Sequence, residues 1–191
     1  MSDAWRLPAA AGVTCAIYVL VYWTQNVPVW LLQTAIIGAA VPFEIVNLVH
    51  GVRILTAWMF GWWSIAALLP ATAFVYAINV SQRGWDAIDA SFHIVVIGFL
   101  VSGPLAFHII GRVLPERHRR SRFEWRVLLL AGFLSAVFNS VVYGLVLIPY
   151  DPPSAGLAWF AGHVVSQMLG LTVLLGIAML FLRWQGQGPS D

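Results

Sequence analysis

No lysine occurs among the 191 residues, cysteine occurs once, and charged residues make up only 9% of the chain. A soluble domain carries about 25% charged residues, so this chain lacks the polar surface to face water on all sides. The same shortage leaves no stretch from which a separate enzyme or signalling domain could be built. The lone Cys15, set in an apolar run, excludes a disulfide framework and a thiolate metal site. Phosphate loops, zinc motifs and nucleophile triads are absent as well. Nothing in the sequence points to an enzyme.

What the chain does have is apolar length: 60% of its residues are hydrophobic and its mean hydropathy is +0.83. The pattern predicts an all-α fold, a single polytopic membrane bundle over residues 1–191 with about six transmembrane helices. These are expected at 8–23, 29–49, 53–80, 91–114, 127–148 and 158–182, with a disordered tail at 184–191. Thr24-Gln25-Asn26 and Pro28 are read as the end of the first helix. Gly61-Trp62-Trp63 and Pro70 predict a kink or a half-helix in the third. The junction before it, with Pro42 and Gly51, is a candidate re-entrant segment. Pro8 to Trp23 is read as a retained helix and not a secretory signal, because Asp3 accompanies Arg6 ahead of it and no small-x-small cleavage pattern follows.

All ten basic residues are arginine, and six of them fall between Arg112 and Arg126. Lying between two long apolar segments, this cluster reads as a cytoplasmic loop and not as a nucleic-acid patch. That assignment also puts Arg6, Arg53 and Arg183 inside, leaves Asp86, Asp89 and Asp151 outside, and makes both termini cytoplasmic. The expected location is a bacterial inner membrane. Trp5, Trp23, Trp30, Trp85, Trp125, Trp159 and Trp184 sit near predicted helix ends, as interfacial indoles do. Trp58, Trp62 and Trp63 lie within the third helix, where they either line a cavity or pack.

Ionisable and amide side chains are costly inside a membrane, which makes each one at depth a candidate site residue. The expected topology sorts them into two layers. The inner layer holds Glu44, Asn47, His50 and Arg53 with His108 and Arg112. The outer layer holds His93, His163 and Gln167, with Asn139 near mid-depth. The inner group is either an ion pair pinning helices, Glu44 with Arg53 or Arg112, or a ligand site in which Glu44 and His50 face a cavity near broken backbone. The histidines offer an alternative: haem b held by His93 with His163 and by His50 with His108, for which facing helices must supply imidazoles at matching depth. Gly12-x-x-x-Ala16 and Ala35-x-x-x-Ala39 are pairs that permit close helix contact.

The stretch from His50-Gly51-Val52-Arg53 through Trp58, Phe60-Gly61-Trp62-Trp63-Ser64 and Leu68-Leu69-Pro70 resembles the early helices of bacterial membrane-integral sensor domains. Those domains precede histidine kinases and diguanylate cyclases. The stretch is also similar to the small-molecule-binding S components of energy-coupling-factor vitamin transporters. Gly162-His163 through Met168-Leu169-Gly170 takes the place of the glycine-containing last helix of those bundles. The resemblance covers about half the chain and implies a six-helix bundle that binds a small molecule, serving as a transport subunit or a stand-alone sensor. Since no output domain follows Arg183, it also implies a membrane partner protein to supply energy or output. A structural or assembly subunit of a larger membrane complex is the third reading.

Overall fold

A computed structural model describes residues 6–37, 44–84, 90–113, 125–147 and 156–186. They form seven α-helices: α1 (Arg6–Thr24), α2 (Trp30–Ile37), α3 (Leu48–Phe60), α4 (Ser64–Arg83), α5 (Ala90–Val113), α6 (Trp125–Leu147) and α7 (Gly156–Gly186). Five stretches are long and apolar enough to cross a membrane: Ala11–Ile36, Leu48–Gln82, Ala90–Val113, Trp125–Val146 and Gly156–Phe181. Large apolar side chains lie exposed on every one of them, Leu31, Met59, Ile97, Leu145 and Leu180 among them. That is the surface expected of helices whose outer faces meet lipid.

Two of the expected boundaries are corrected. The first helix does not end at Thr24–Pro28: a π-turn over Gln25–Val29 joins α1 to α2, and Thr24 and Trp30 on either side of it both keep helical backbone. Pro28 has no N–H and its ring crowds the preceding turn, and the wider π-turn takes up the mismatch without stopping the helix. The expected third helix, 53–80, is instead two helices that meet at Gly61. That residue has φ +54° and ψ −129° and caps α3, a conformation that excludes most side chains. Trp62 and Trp63 follow it in a short 3₁₀ turn. They are exposed at a helix end, not buried within a long helix, and so fall among the chain's other interfacial tryptophans.

Pairwise contacts fix the helix directions. Gln25 meets Val49 and Tyr18 meets Arg53, so α3 runs back along α1. Arg53 lies over Phe99, and Ala57 is the nearest neighbour of Gly103, so α3 is parallel to α5. Tyr76 touches Phe92 and His93 at the start of α5, which makes α4 antiparallel to α5 and therefore to α3. Ser102 with Ser135 sets α6 antiparallel to α5, and Asn139 with Gln167 sets α7 antiparallel to α6. Arg6, Arg112, Arg126 and Arg183 consequently belong to helix ends on one side of the bundle.

The short α3 is held at its centre. One core cluster joins Val49 and Val52 to Tyr18, Leu68, Ala71 and Leu100, and a second joins Ile54 to Leu128, Leu171 and Leu175. Its contact with α7 is backbone-close: a side chain at Gly170 would collide with the Asn47 carbonyl, and a Cβ at Gly51 would lie 2.7 Å from Leu174. Small residues at such crossings let helices approach where a membrane offers no hydrophobic drive between them.

The expected tail falls partly in α7, which continues to Gly186. Residues 187–191 lie outside the described residues. So do Pro42, Ala39, Asp86, Asp89, Asp151 and the basic segment at 114–124.

Candidate functional site

The site begins with buried amides on the first helix. Gln25 is 4% exposed and Gln33 7%, and both use their side chains to receive the chain as it returns toward α3. Gln33 Oε1 accepts the backbone N–H of Ile45 at 2.9 Å, and Gln25 Oε1 accepts that of Val49 at 3.1 Å. Gln25 Nε2 donates to the Glu44 carboxylate. These bonds satisfy backbone donors that have no water to turn to. Asn47 completes the entry as N-cap of α3, its Oδ1 accepting from His50 N at 3.0 Å while its own N–H donates to Ser166 O at 3.0 Å.

One turn further along α3, Arg53 points away from α7 toward α1 and α5. Its Nη2 donates to Tyr18 Oη at 2.7 Å, and its guanidinium lies 4.8 Å from the ring centre of Phe99 and 5.6 Å from that of Tyr18. Both are neutral partners. Arg53 Nε is buried without a hydrogen bond. Glu44 and Arg53 form no ion pair with each other, although both line one cavity of about 400 Å³. The cavity opens among α1, α4 and α5, and Tyr22, Asn26, Tyr76 and Asn79 contribute its polar wall. Glu44 lies in the connection between the first two spanning stretches.

A smaller cavity of about 250 Å³ shares Glu44, Phe99 and Tyr143 with the first and adds Trp30, Trp159 and His163. His163 is stacked on Trp159, with ring centres 5.0 Å apart and planes 13° from parallel, and Tyr143 lies 5.4 Å away. Its Nδ1 sits 2.9 Å from Ser140 Oγ and 3.1 Å from Gln167 Nε2, and Asn139 Nδ2 donates to Gln167 Oε1 at 3.0 Å. This chain of neutral groups ties α6 to α7.

The two expected layers are therefore rearranged. Glu44, Asn47 and His163 line one cavity, and Arg53 joins Glu44 in the other. Arg53 is not at a cytoplasmic helix end but inside the bundle. His108 and Arg112 do not belong with it: both are exposed on the last turns of α5, where His108 packs edge-on to Trp62 at 6.1 Å. The misplacement has one cause. A single helix over 53–80 puts Arg53 at its inner end, whereas the reversal at Gly61 makes α3 enter from the opposite side. His93, also exposed, pairs with Tyr76 Oη at 3.1 Å and lines neither cavity. The aromatic and amide partners Tyr18, Gln25, Phe99, Tyr143 and Trp159 were not singled out as site residues. Their only sequence signal, polar or aromatic character within apolar helices, is too common to select them.

The haem arrangement does not fit these side chains. His50 is fully buried with Nε2 3.1 Å from the Gly132 carbonyl oxygen, and it lines neither cavity. Its intended partner His108 is exposed beside Trp62. His93 is engaged by Tyr76, and His163 Nδ1 by Ser140 and Gln167. Among the described residues, no three His, Cys, Asp or Glu side chains gather where they could hold a metal ion. Comparison of the chain with protein-family models, with curated proteins and with solved structures finds no match.

Proposed function

We propose that this chain is a membrane-embedded small-molecule-binding protein, an S-component-like transport subunit or a stand-alone sensor domain. The observation that carries the reading is the 400 Å³ cavity that both Glu44 and Arg53 line. A carboxyl group and a guanidinium at membrane depth each cost a few kcal/mol. Packing alone gives no reason to keep both without a direct ion pair among the described residues, whereas a ligand that contacts them does.

The same reading has six crossings. The α1–α2 helix, α3, α4, α5, α6 and α7 alternate in direction, with α3 as a short return of roughly 20 Å. The helix ends bearing Arg6, Arg112, Arg126 and Arg183 then face the cytoplasm of a bacterial cell, and the cavity opens toward the other side. This reading includes a membrane partner protein. Gly12, Ala16 and Ala35 are placed to receive one: Ala16 and Ala35 are exposed, and open space surrounds Gly12.

The experiment is a melting curve of the purified protein against fractions of a small-molecule extract from the host cell. A ligand that binds only the folded state raises the melting temperature by mass action. At least one fraction should stabilise the wild type and leave Arg53→Met unmoved. If no fraction shifts the wild type, the binding reading fails and a structural or assembly subunit takes its place.

A further inference from the structure

The two charges in the larger cavity are arranged for a ligand that carries both signs. Each is oriented by neutral groups: Glu44 by the Gln25 amide, Arg53 by the Tyr18 hydroxyl and the face of Phe99. They form no direct ion pair with each other, although both face the same space. A bound anion would satisfy Arg53 and leave Glu44 uncompensated, and a bound cation would do the reverse. Either outcome leaves one costly group in a medium of low dielectric.

The surroundings of Glu44 also select for type. Glu44 borders the smaller cavity too, whose wall is aromatic at Trp30, Phe99, Tyr143 and Trp159 and polar at Asn47, His163 and Ser166. Aromatic walls beside a single carboxylate suit an organic ammonium, which ring faces attract. They suit a metal ion poorly, since among the described residues no three His, Cys, Asp or Glu side chains gather there to ligate one. At the other pole, a guanidinium with free donor positions suits a carboxylate.

We infer that the ligand is a small amino-acid-like zwitterion, its ammonium group held at Glu44 and its carboxylate at Arg53. The inference rests on the ligand-binding reading above and names the chemical class that site takes. Val96, Phe92 and Leu100 in the cavity wall receive the ligand's apolar part.

The test uses the full-length protein in detergent and a panel of free amino acids, each beside its C-terminal amide, a cation, and its N-acetyl derivative, an anion. Binding is read by isothermal calorimetry. At least one amino acid should bind, and about tenfold or more tighter than either derivative, the discrimination expected of a charged hydrogen-bonded contact. Glu44→Gln should erase the preference over the N-acetyl derivative, and Arg53→Gln the preference over the amide. Should one variant fail to fold, the other still tests its own pole of the ligand.

The inference is overturned if no amino acid binds, or if a singly charged derivative binds as well as its parent. Native mass spectrometry of the wild type tells the two failures apart. A co-purified small molecule of another class refutes the zwitterion and keeps the binding site. Its absence, together with silent calorimetry, removes both.

Discussion

The helices α5, α6 and α7 and the segment from Gln25 to Gly61 use polar residues to opposite ends. In the first region the contacts run between neutral groups: Ser135 donates to Ser102 at 2.8 Å, and Asn139, Gln167, His163 and Ser140 form one chain in which Asn139 Oδ1 alone is buried without a partner. In the second region Gln25, Gln33 and Asn47 stitch an irregular backbone, and they leave two charged side chains facing a cavity. Polar groups that answer one another hold helices together. Charged groups that do not answer one another mark where something else must come in.

The boundary between the regions offers the largest perturbation. Gly170 of α7 abuts the Asn47 carbonyl, so Gly170→Leu should push α3 off α7 and cost upwards of about 3 kcal/mol, as overpacking against backbone does. Melting in detergent should fall sharply and the ligand response should vanish with it. A variant as stable as the wild type would mean that α3 does not cross α7 there.

A smaller loss is expected at the reversal between α3 and α4. Gly61→Val forces a β-branched residue to φ +54°, at a cost of roughly 1–3 kcal/mol. Its melting curve should move less than that of Gly170→Leu. No loss at all would argue that α3 and α4 continue as one helix.

Within the neutral region the effects shrink further. Asn139→Leu removes one interhelical hydrogen bond, and such bonds in membranes average about 0.6 kcal/mol. Thermal stability should drop slightly and ligand binding should persist. Lost binding with an unchanged melting temperature would extend the functional site to Asn139.

How much of this was legible in the sequence differs between the same two regions. The last three helices were expected at 91–114, 127–148 and 158–182 and are found at Ala90–Val113, Trp125–Leu147 and Gly156–Gly186. Long apolar runs between charged or proline-rich breaks leave little choice there. Around Pro28 and Gly61 the usual signals misled. Pro28 reads as a terminator, yet a π-turn absorbs it, and Gly61 reads as a kink, yet it reverses the chain. The candidate residues Glu44, Asn47, His50 and Arg53 were visible because ionisable and amide groups are rare in this chain. The grouping of Glu44 and Asn47 with His163, and the separation of Arg53 from His108 and Arg112, depended on the direction of α3, which local sequence does not encode.

The measurement that bears most directly on the account is a double-mutant cycle between Glu44→Gln and Arg53→Met, read as thermal stability without ligand. If the two charges wait for a ligand, their effects should be nearly additive, with a coupling below about 1 kcal/mol. A structural ion pair would instead make either single substitution strongly destabilising, by about 3–5 kcal/mol, and the double substitution would recover much of that loss. That second result would contradict the claim that the cavity is built around two charges kept apart.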